Sequence, residues 1–296
     1  MAWREGGPVL GWWGEGRGER GSALRFGDAV AFGVVGERRC LGVWRGGRRV
    51  VCPVGAEVGA GSTRAQCEEC ARLDRAQSVA ADTMADDPRP YAVYLAWFGP
   101  GMVKVGITRE DRGAARLLEQ GAVAFGWLGR GPLMAARRAE ELLRAALGVP
   151  DRVPYARKRA VRGELPSAEA RAGELAELYG RAVGLPGWPE ALERAEFAVV
   201  DQAEVFRLGD GEWAGAEAVV GGLRDGAVVV GRLVGAAGPD LHLARQGAGG
   251  RLLVVDTRWM AGWRLVARGG GGEAAAVTSG VEVRALRPSH RQGGLF

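Results

Sequence analysis

The chain has 296 residues, 47% hydrophobic and 25% charged, which is ordinary for folded protein and long enough for two or three domains. No run approaches eighteen apolar residues, and the opening MAWREGGPVLGWWGEGRGERG has no apolar core behind a basic flank, so neither a membrane span nor a secretion signal is expected and a cytoplasmic location is predicted. A net charge of +5 and a pI near 9.4 favour an acidic partner such as nucleic acid.

In chain order, LGWWGEGRG comes first. Leu10, Trp12 and Phe26 need a partner surface, and pairing with the C-terminal strands is the expectation. All four cysteines follow within 31 positions, in ERRCLGVWRGGRRVVCPVGAEVGAGSTRAQCEECARL. Cys67 and Cys70, three apart on a tight turn, can aim both sulfurs at one point. Eleven residues separate Cys40 from Cys52, and the apolar flanks of RGG in LGVWRGGRRVV predict a hairpin that brings them together. A four-cysteine zinc site is therefore predicted, against the alternatives of buried free thiols or disulfides. The closed thiolate set would make the zinc structural, and the segment buries too little apolar surface to stand without it. The two histidines, His242 and His290, are both distant.

DRAQSVAADTMADDPRP, from Asp74 to Pro90, reads as a short helix or linker that bounds a domain. YAVYLAWF and MVKVGIT then predict two strands around a GPG turn. Thr108 and Asp111 resemble a capping box, which predicts a helix from about Arg109 to Gln120 with Arg112, Arg116 and Gln120 on one face. AVAFGWLG is a third strand. Pro132 opens a helix with Ala135, Ala139, Leu142, Leu143 and Ala146 as its apolar stripe. RVPYARKRAVRG is the densest basic stretch, either a phosphate contact or a solvated loop. SAEARAGELAELYGRAVGL is helical, and LPGWPE breaks it. From Phe197 onwards FAVVDQAEVFRL, AVVVGRLVGA, DLHLAR, RLLVVDTR and GWRLVAR read as short strands of a small β-barrel or sandwich. GRLVGAAGPDLHLA lacks the spacing and following helix of a phosphate-binding loop. The tail from Gly269 is expected to be mobile, with VEVRAL as an added edge strand.

Of 40 basic residues only Lys104 and Lys158 are lysine. A lysine kept in an arginine-biased chain points to a need for a compact ammonium, unless it is a solvated edge-strand residue.

The succession of strand, strand, helix with arginine, strand and helix with glutamate resembles the GIY-YIG nuclease superfamily. AVY, ending at Tyr94, stands at the GIY position, and KVG, Lys104 to Gly106, stands at the YIG position. The resemblance implies Arg116 as the family's arginine and Glu140, with Glu141 as alternative, as its metal-binding glutamate. It implies a metal-dependent phosphodiesterase using magnesium or manganese. The sequence departs from it where Lys104 replaces the second tyrosine and Gln120 stands where the nucleases often have histidine, and no residue is matched to the family's late asparagine. KVGIT, RLLEQGA, GPDLHLAR, LLVVDTR and GWRLV also resemble the family called domain of unknown function 2797, over most of the chain.

The expected fold is α+β. It has a cysteine-bearing, zinc-ribbon-like part over 1–85, a GIY-YIG-like domain with a small antiparallel sheet over 86–190, and a β-rich domain over 191–296. The expected function is nucleic-acid binding, DNA or RNA, with Tyr94, Lys104, Arg116 and Glu140 as the site. A catalytically inactive module for a protein or small anionic ligand is the alternative.

Overall fold

The computed structural model describes residues 1–4, 7–14, 18–45, 48–76, 87–208, 216–245, 252–268 and 278–286. Their elements sort into two units, one of Met1–Ala85 with Ala216–Ala285 and one built on Asp86–Gly215. The fold class is α+β, with sheet predominating. Among the described residues no helix is long and apolar enough to cross a membrane.

In the first unit, β1 (Ala2–Arg4), β2 (Gly7–Gly14) and β3 (Gly18–Ala23) form an antiparallel meander. Next come β4 (Ala29–Val35), the hairpin of β5 (Val43–Arg45) and β6 (Arg48–Val50), and α1 (Glu68–Ala76). Hairpin register pairs Val43 with Val50, as the apolar flanks of the RGG turn predict.

The second unit contains β7 (Pro90–Trp97), β8 (Val103–Arg109), a 3-10 turn at Glu110–Arg112, α2 (Ala115–Gln120), β9 (Ala124–Pro132) and α3 (Leu133–Leu147). It continues through α4 (Tyr155–Val161), α5 (Ala168–Val183), β10 (Glu193–Arg194), β11 (Val199–Asp201) and α6 (Ala203–Phe206). Its sheet runs β10-β9-β7-β8, with β11 also on β9. Strand β7 is buried from Tyr91 to Trp97, so its sequence is continuously apolar where a half-exposed strand would alternate. Tyr94 and Ala96 point into a core with Leu117, Phe125 and Val153, while Trp97 donates to Glu174 of α5. Edge strand β8 is covered at Val105, whose N–H donates to the Pro150 carbonyl at 3.0 Å.

The chain then returns to the first unit with β12 (Ala216–Gly222), β13 (Val228–Ala237), β14 (Asp240–Ala244), β15 (Leu252–Asp256), α7 (Thr257–Met260), β16 (Arg264–Ala267) and β17 (Glu282–Ala285). With β4 they make a seven-stranded sheet in the order β16-β4-β13-β14-β15-β12-β17. Along β13, Val229, Gly231 and Leu233 are buried while Val228, Val230 and Arg232 are less so, the period of two of a sheet with one covered face.

Several local expectations need correcting. The helix expected over 109–120 is two pieces, because Gly113 (φ 44°) breaks it between the 3-10 turn and α2. Thr108 does not cap it: its hydroxyl donates to the Arg109 carbonyl, and no side chain caps the turn. Val199–Asp201, read with the C-terminal strands, pairs instead with β9, and Ala203–Phe206 beside it is helical. Strand β2 pairs with its own neighbours, and it is β4 that joins the C-terminal strands, between β13 and β16. Ala146 of the expected stripe is exposed, and Leu133 and Ala136 are buried in its place. VEVRAL does supply an edge strand, β17, on β12. The glycine-rich tail segment from Gly269 to Val277, His290, and most of the Asp74–Pro90 linker lie outside the described residues.

Candidate metal centre and charged pocket

The four cysteines meet in the first unit. Cys40 follows β4, Cys52 follows the β5–β6 hairpin, Cys67 precedes α1 and Cys70 lies within it. Their sulfurs all lie within 4.8 Å of one another, and none is in a disulfide. A tetrahedral metal with bonds of about 2.3 Å holds its thiolates about 3.8 Å apart, so the cluster is within metal-binding distance. Backbone donors already face it. Cys67 and Gly42 N–H donate to Cys40 Sγ at 3.2 and 3.4 Å. Amides of Ala56 and Val54 bring the Cys52 thiol down to about 7, whereas burial raises those of Cys40 and Cys70. The N–H donors supply what a thiolate set lacks in a buried site. Gly42 is required here: at φ 72°, a Cβ would come within 2.0 Å of the Val50 carbonyl. Val43 and Val58 close a small core around the sulfurs.

Sequence reasoning missed Arg38, which is buried two residues before Cys40. Its guanidinium donates to four carbonyls, those of Gly59, Ser62, Arg258 and Ala261. The cysteine-bearing loops are thereby tied to the turn after α7. One signal was available, a pair of arginines before a metal-type cysteine, but nothing local said that Arg38 would be buried and Arg39 exposed.

In the second unit Tyr94 comes from β7, Lys104 from β8, Arg116 from α2 and Glu140 from α3. Strand register sets Tyr94 opposite Gly106 and Ala96 opposite Lys104. The Tyr94 ring, 1% exposed, lies over Gly106 so closely that a Cβ there would meet its hydroxyl at 2.4 Å. Gln120 Nε2 donates to that hydroxyl at 2.8 Å. Trp127 meets the ring edge-on, with centroids 6.1 Å apart. Lys104 is 9% exposed, not solvated at the strand edge. Its Nζ sits 5.5 Å from the Tyr94 centroid and donates to the Asp151 carbonyl at 3.2 Å. Arg116 is exposed, 3.9 Å from Glu119, and its guanidinium also reaches the Tyr94 hydroxyl. Glu140 is partly buried, whereas Glu141 is exposed and bound to Arg144, which makes Glu140 the carboxylate turned to the pocket.

Charge ties the four together. Burial, then the Arg116 cation, lowers the Lys104 ammonium to about 8, opposed by Glu140. Burial raises Tyr94, opposed by Gln120 and Arg116, and burial raises Glu140, opposed first by Lys104. Tyr94 and Lys104 therefore each feel both Arg116 and Glu140, and Arg116 and Gln120, four apart on α2, both act on the Tyr94 hydroxyl as their shared face predicts, Arg116 at its exposed end and Gln120 at its buried one.

Lys158, the other lysine, lies in the basic stretch, which is helix α4 and not a solvated loop. It is buried, donates from Nζ to the Gln120 carbonyl at 2.9 Å and lies 3.6 Å from the Phe98 centroid. A compact ammonium can cap a carbonyl above a ring where a planar guanidinium would be too wide. Lys158 thus supports the end of α2 that carries Gln120. Its scarcity as a lysine was the signal that could have found it. His242 is buried on β14, far in sequence from every residue of the pocket.

No curated protein and no solved structure matches the chain. The sequence profile of the family described as "Protein of unknown function (DUF2797)" matches residues 27–265, so the chain belongs to that family.

Proposed function

We propose that the protein binds nucleic acid through its phosphate backbone at the pocket of Lys104 and Arg116, and that a structural zinc closes the cysteine cluster. The observation that carries this reading is the convergence of two cations from different elements on Tyr94, Lys104 with its Nζ 5.5 Å from the ring centroid and Arg116 at the hydroxyl. Arg116 is the outward cation that meets a phosphate first, and Lys104, mostly protonated at neutral pH, is the compact charge behind it. Because Gln120 donates to Tyr94, the phenol keeps its own proton to donate. The order of Tyr94, Gly106, Arg116 and Glu140 on strand, strand, helix and helix supports a divergent GIY-YIG-like domain. The four close thiols and their N–H donors support a zinc-ribbon-like module.

A metal-dependent phosphodiesterase is the second reading, favoured by the partly buried carboxylate of Glu140 beside Lys104, with Asp151 near both. Glu140 would hold magnesium or manganese, which would supply charge neutralisation at the phosphate. Binding is the primary reading because burial holds both Tyr94 and Glu140 toward their neutral forms, the weaker state for a base and for a metal ligand.

Titration of labelled single- and double-stranded DNA and RNA at low salt tests the proposal. Binding that weakens steeply with salt and with Arg116→Ala supports it. No binding to any of them favours a module for a protein or small anionic ligand. If a nicking assay detects cleavage, Glu140→Ala abolishes it and Tyr94→Phe reduces it while leaving affinity nearly intact. Cleavage that survives both substitutions comes from elsewhere.

A further inference from the structure

Three tryptophans of the first unit are left to solvent: Trp12 at 37%, Trp13 at 42% and Trp44 at 49% exposure. All lie on two neighbouring hairpins. Trp12 and Trp13 are near the far end of β2–β3, where they pair across the strands with Arg20 and Glu19. Trp44 is on β5, opposite Arg49 of β6. The hairpins are joined by an ion pair, Arg49 Nε to Glu19 Oε1 at 3.3 Å, and the same guanidinium lies 5.7 Å from the Trp44 centroid. One chain of contacts therefore runs Trp13, Glu19, Arg49, Trp44. Trp12 is also fixed, its indole N–H donating to Ser22 Oγ at 2.8 Å.

An exposed indole on a short hairpin costs solvation unless something covers it, and what surrounds these three says what that is. On the faces that carry Trp13 and Trp44 lie their cross-strand partners Glu19 and Arg49, while Arg20 pairs with Trp12 on the other face of its hairpin and Arg45 and Arg48 pair with each other on the other face of theirs, at its tip. A guanidinium set between two indoles, with Arg45 and Arg48 at the tip of the same hairpin, matches a strand of unpaired nucleotides, whose bases stack on the rings while its phosphates meet the arginines. A lipid surface fits less well, since the Glu19–Arg49 pair between Trp13 and Trp44 would have to be carried into the apolar layer. Duplex nucleic acid offers phosphates but no free base faces.

We propose that the β2–β3 and β5–β6 hairpins form a stacking surface for single-stranded nucleic acid, with Trp13 and Trp44 as its principal base contacts. This rests on the nucleic-acid reading above but uses different residues on a different unit, so the two can fail separately.

The test uses the full chain and two labelled probes of equal length, a single-stranded oligodeoxythymidine and a DNA duplex, titrated at low salt by fluorescence anisotropy. The Trp13→Ala, Trp44→Ala double variant is expected to lose about tenfold or more in affinity for the single strand and less than about twofold for the duplex. Trp13→Phe with Trp44→Phe, which keeps a ring at each position, is expected to retain most of the single-strand affinity. Equal losses on both probes, no loss on either, or a Phe variant as weak as the Ala variant would overturn the proposal. So would aromatic-dependent binding to phosphatidylglycerol vesicles with oligonucleotide binding unchanged. Arg116→Ala separates the two readings. If it weakens both probes while the indole variants weaken neither, the stacking surface is wrong and the pocket stands. If the indole variants alone weaken single-strand binding, the pocket is wrong and the stacking surface stands. A parent protein that binds neither probe ends both.

Discussion

The cysteine cluster and the charged pocket each gather four side chains, yet they are built for opposite purposes. In the cluster, four thiols point at one another, backbone N–H groups donate inward, and three of the four cysteines are buried. In the pocket, unlike groups oppose each other, and Arg116 is left facing out. Completing the first takes a small soft cation and nothing larger. An anion at the second would relieve the mutual repulsion of Lys104 and Arg116. In the reading proposed above, one arrangement is finished by an ion that holds the fold, the other by a ligand that arrives later.

The largest effect should come from breaking the first. Cys67→Ser is expected to release the zinc, one per chain in the parent, and unfold the loops around it. Structural zinc contributes about 10–16 kcal/mol of apparent binding free energy in small peptides, as much as the whole stability of an ordinary domain. Metal analysis and far-UV circular dichroism check this. Full metal retention in Cys67→Ser contradicts it, and Arg116→Ala should leave the zinc untouched.

Second in size is the packing of the pocket. Gly106→Ala places a methyl 2.4 Å from the Tyr94 hydroxyl and 2.6 Å from its Cζ. The expected cost is about 1–3 kcal/mol in urea unfolding. Tyr94→Phe removes the nearest of those atoms, so Gly106→Ala should cost less in that background, and a double-mutant cycle measures the difference. Additive effects would mean that the ring does not rest on Gly106.

These two regions were unequally legible in the sequence. Cys-x2-Cys spacing and the RGG turn are local, so the cluster followed from residues near one another in the chain. The pocket followed from resemblance, because no local rule brings Tyr94 to Glu140. The strands of the second unit's hairpin and the Pro132 helix start were readable from apolar runs and a helix-opening proline. Gly113 ending one helical turn before α2 was not, since a lone glycine in a helical pattern is usually tolerated. Nor was the partnership of β4 with β13, or of β11 with β9, whose hydrogen bonds join segments far apart in sequence. Burial of Lys104 was hidden for the same reason: its cover comes from the segment at Pro150 and Asp151.

A third, smaller effect concerns affinity. Arg116→Ala should weaken nucleic-acid binding by about tenfold at every sequence tested and lower the salt slope by about 1, as loss of one phosphate contact does. Loss confined to one sequence would argue for base reading instead.

The smallest expected effect is on pH. Lys104 is charged in both folded and unfolded chains below about 8, so the cost of burying its charge is fully present there. Between about 8 and its ordinary 10.5, the unfolded chain holds a proton that the folded one has released, and this group's contribution makes stability rise with pH. Phosphate binding moves the other way and weakens as the ammonium is lost. Lys104→Met should remove both trends. Parallel changes in stability and affinity would contradict the assignment.

Having only two lysines makes a direct test of the pocket practical. Lysine labelled with 13C and 15N gives side-chain resonances from Lys104 and Lys158 alone in the NMR spectrum. On addition of an oligonucleotide, the Lys104 ε-CH2 signal is expected to shift and its titration midpoint to rise from about 8, since a phosphate favours the ammonium. Lys158, held by the Gln120 carbonyl, should change far less. An oligonucleotide that binds while Lys104 keeps its shift and its midpoint would contradict the pocket as the place where phosphate is held.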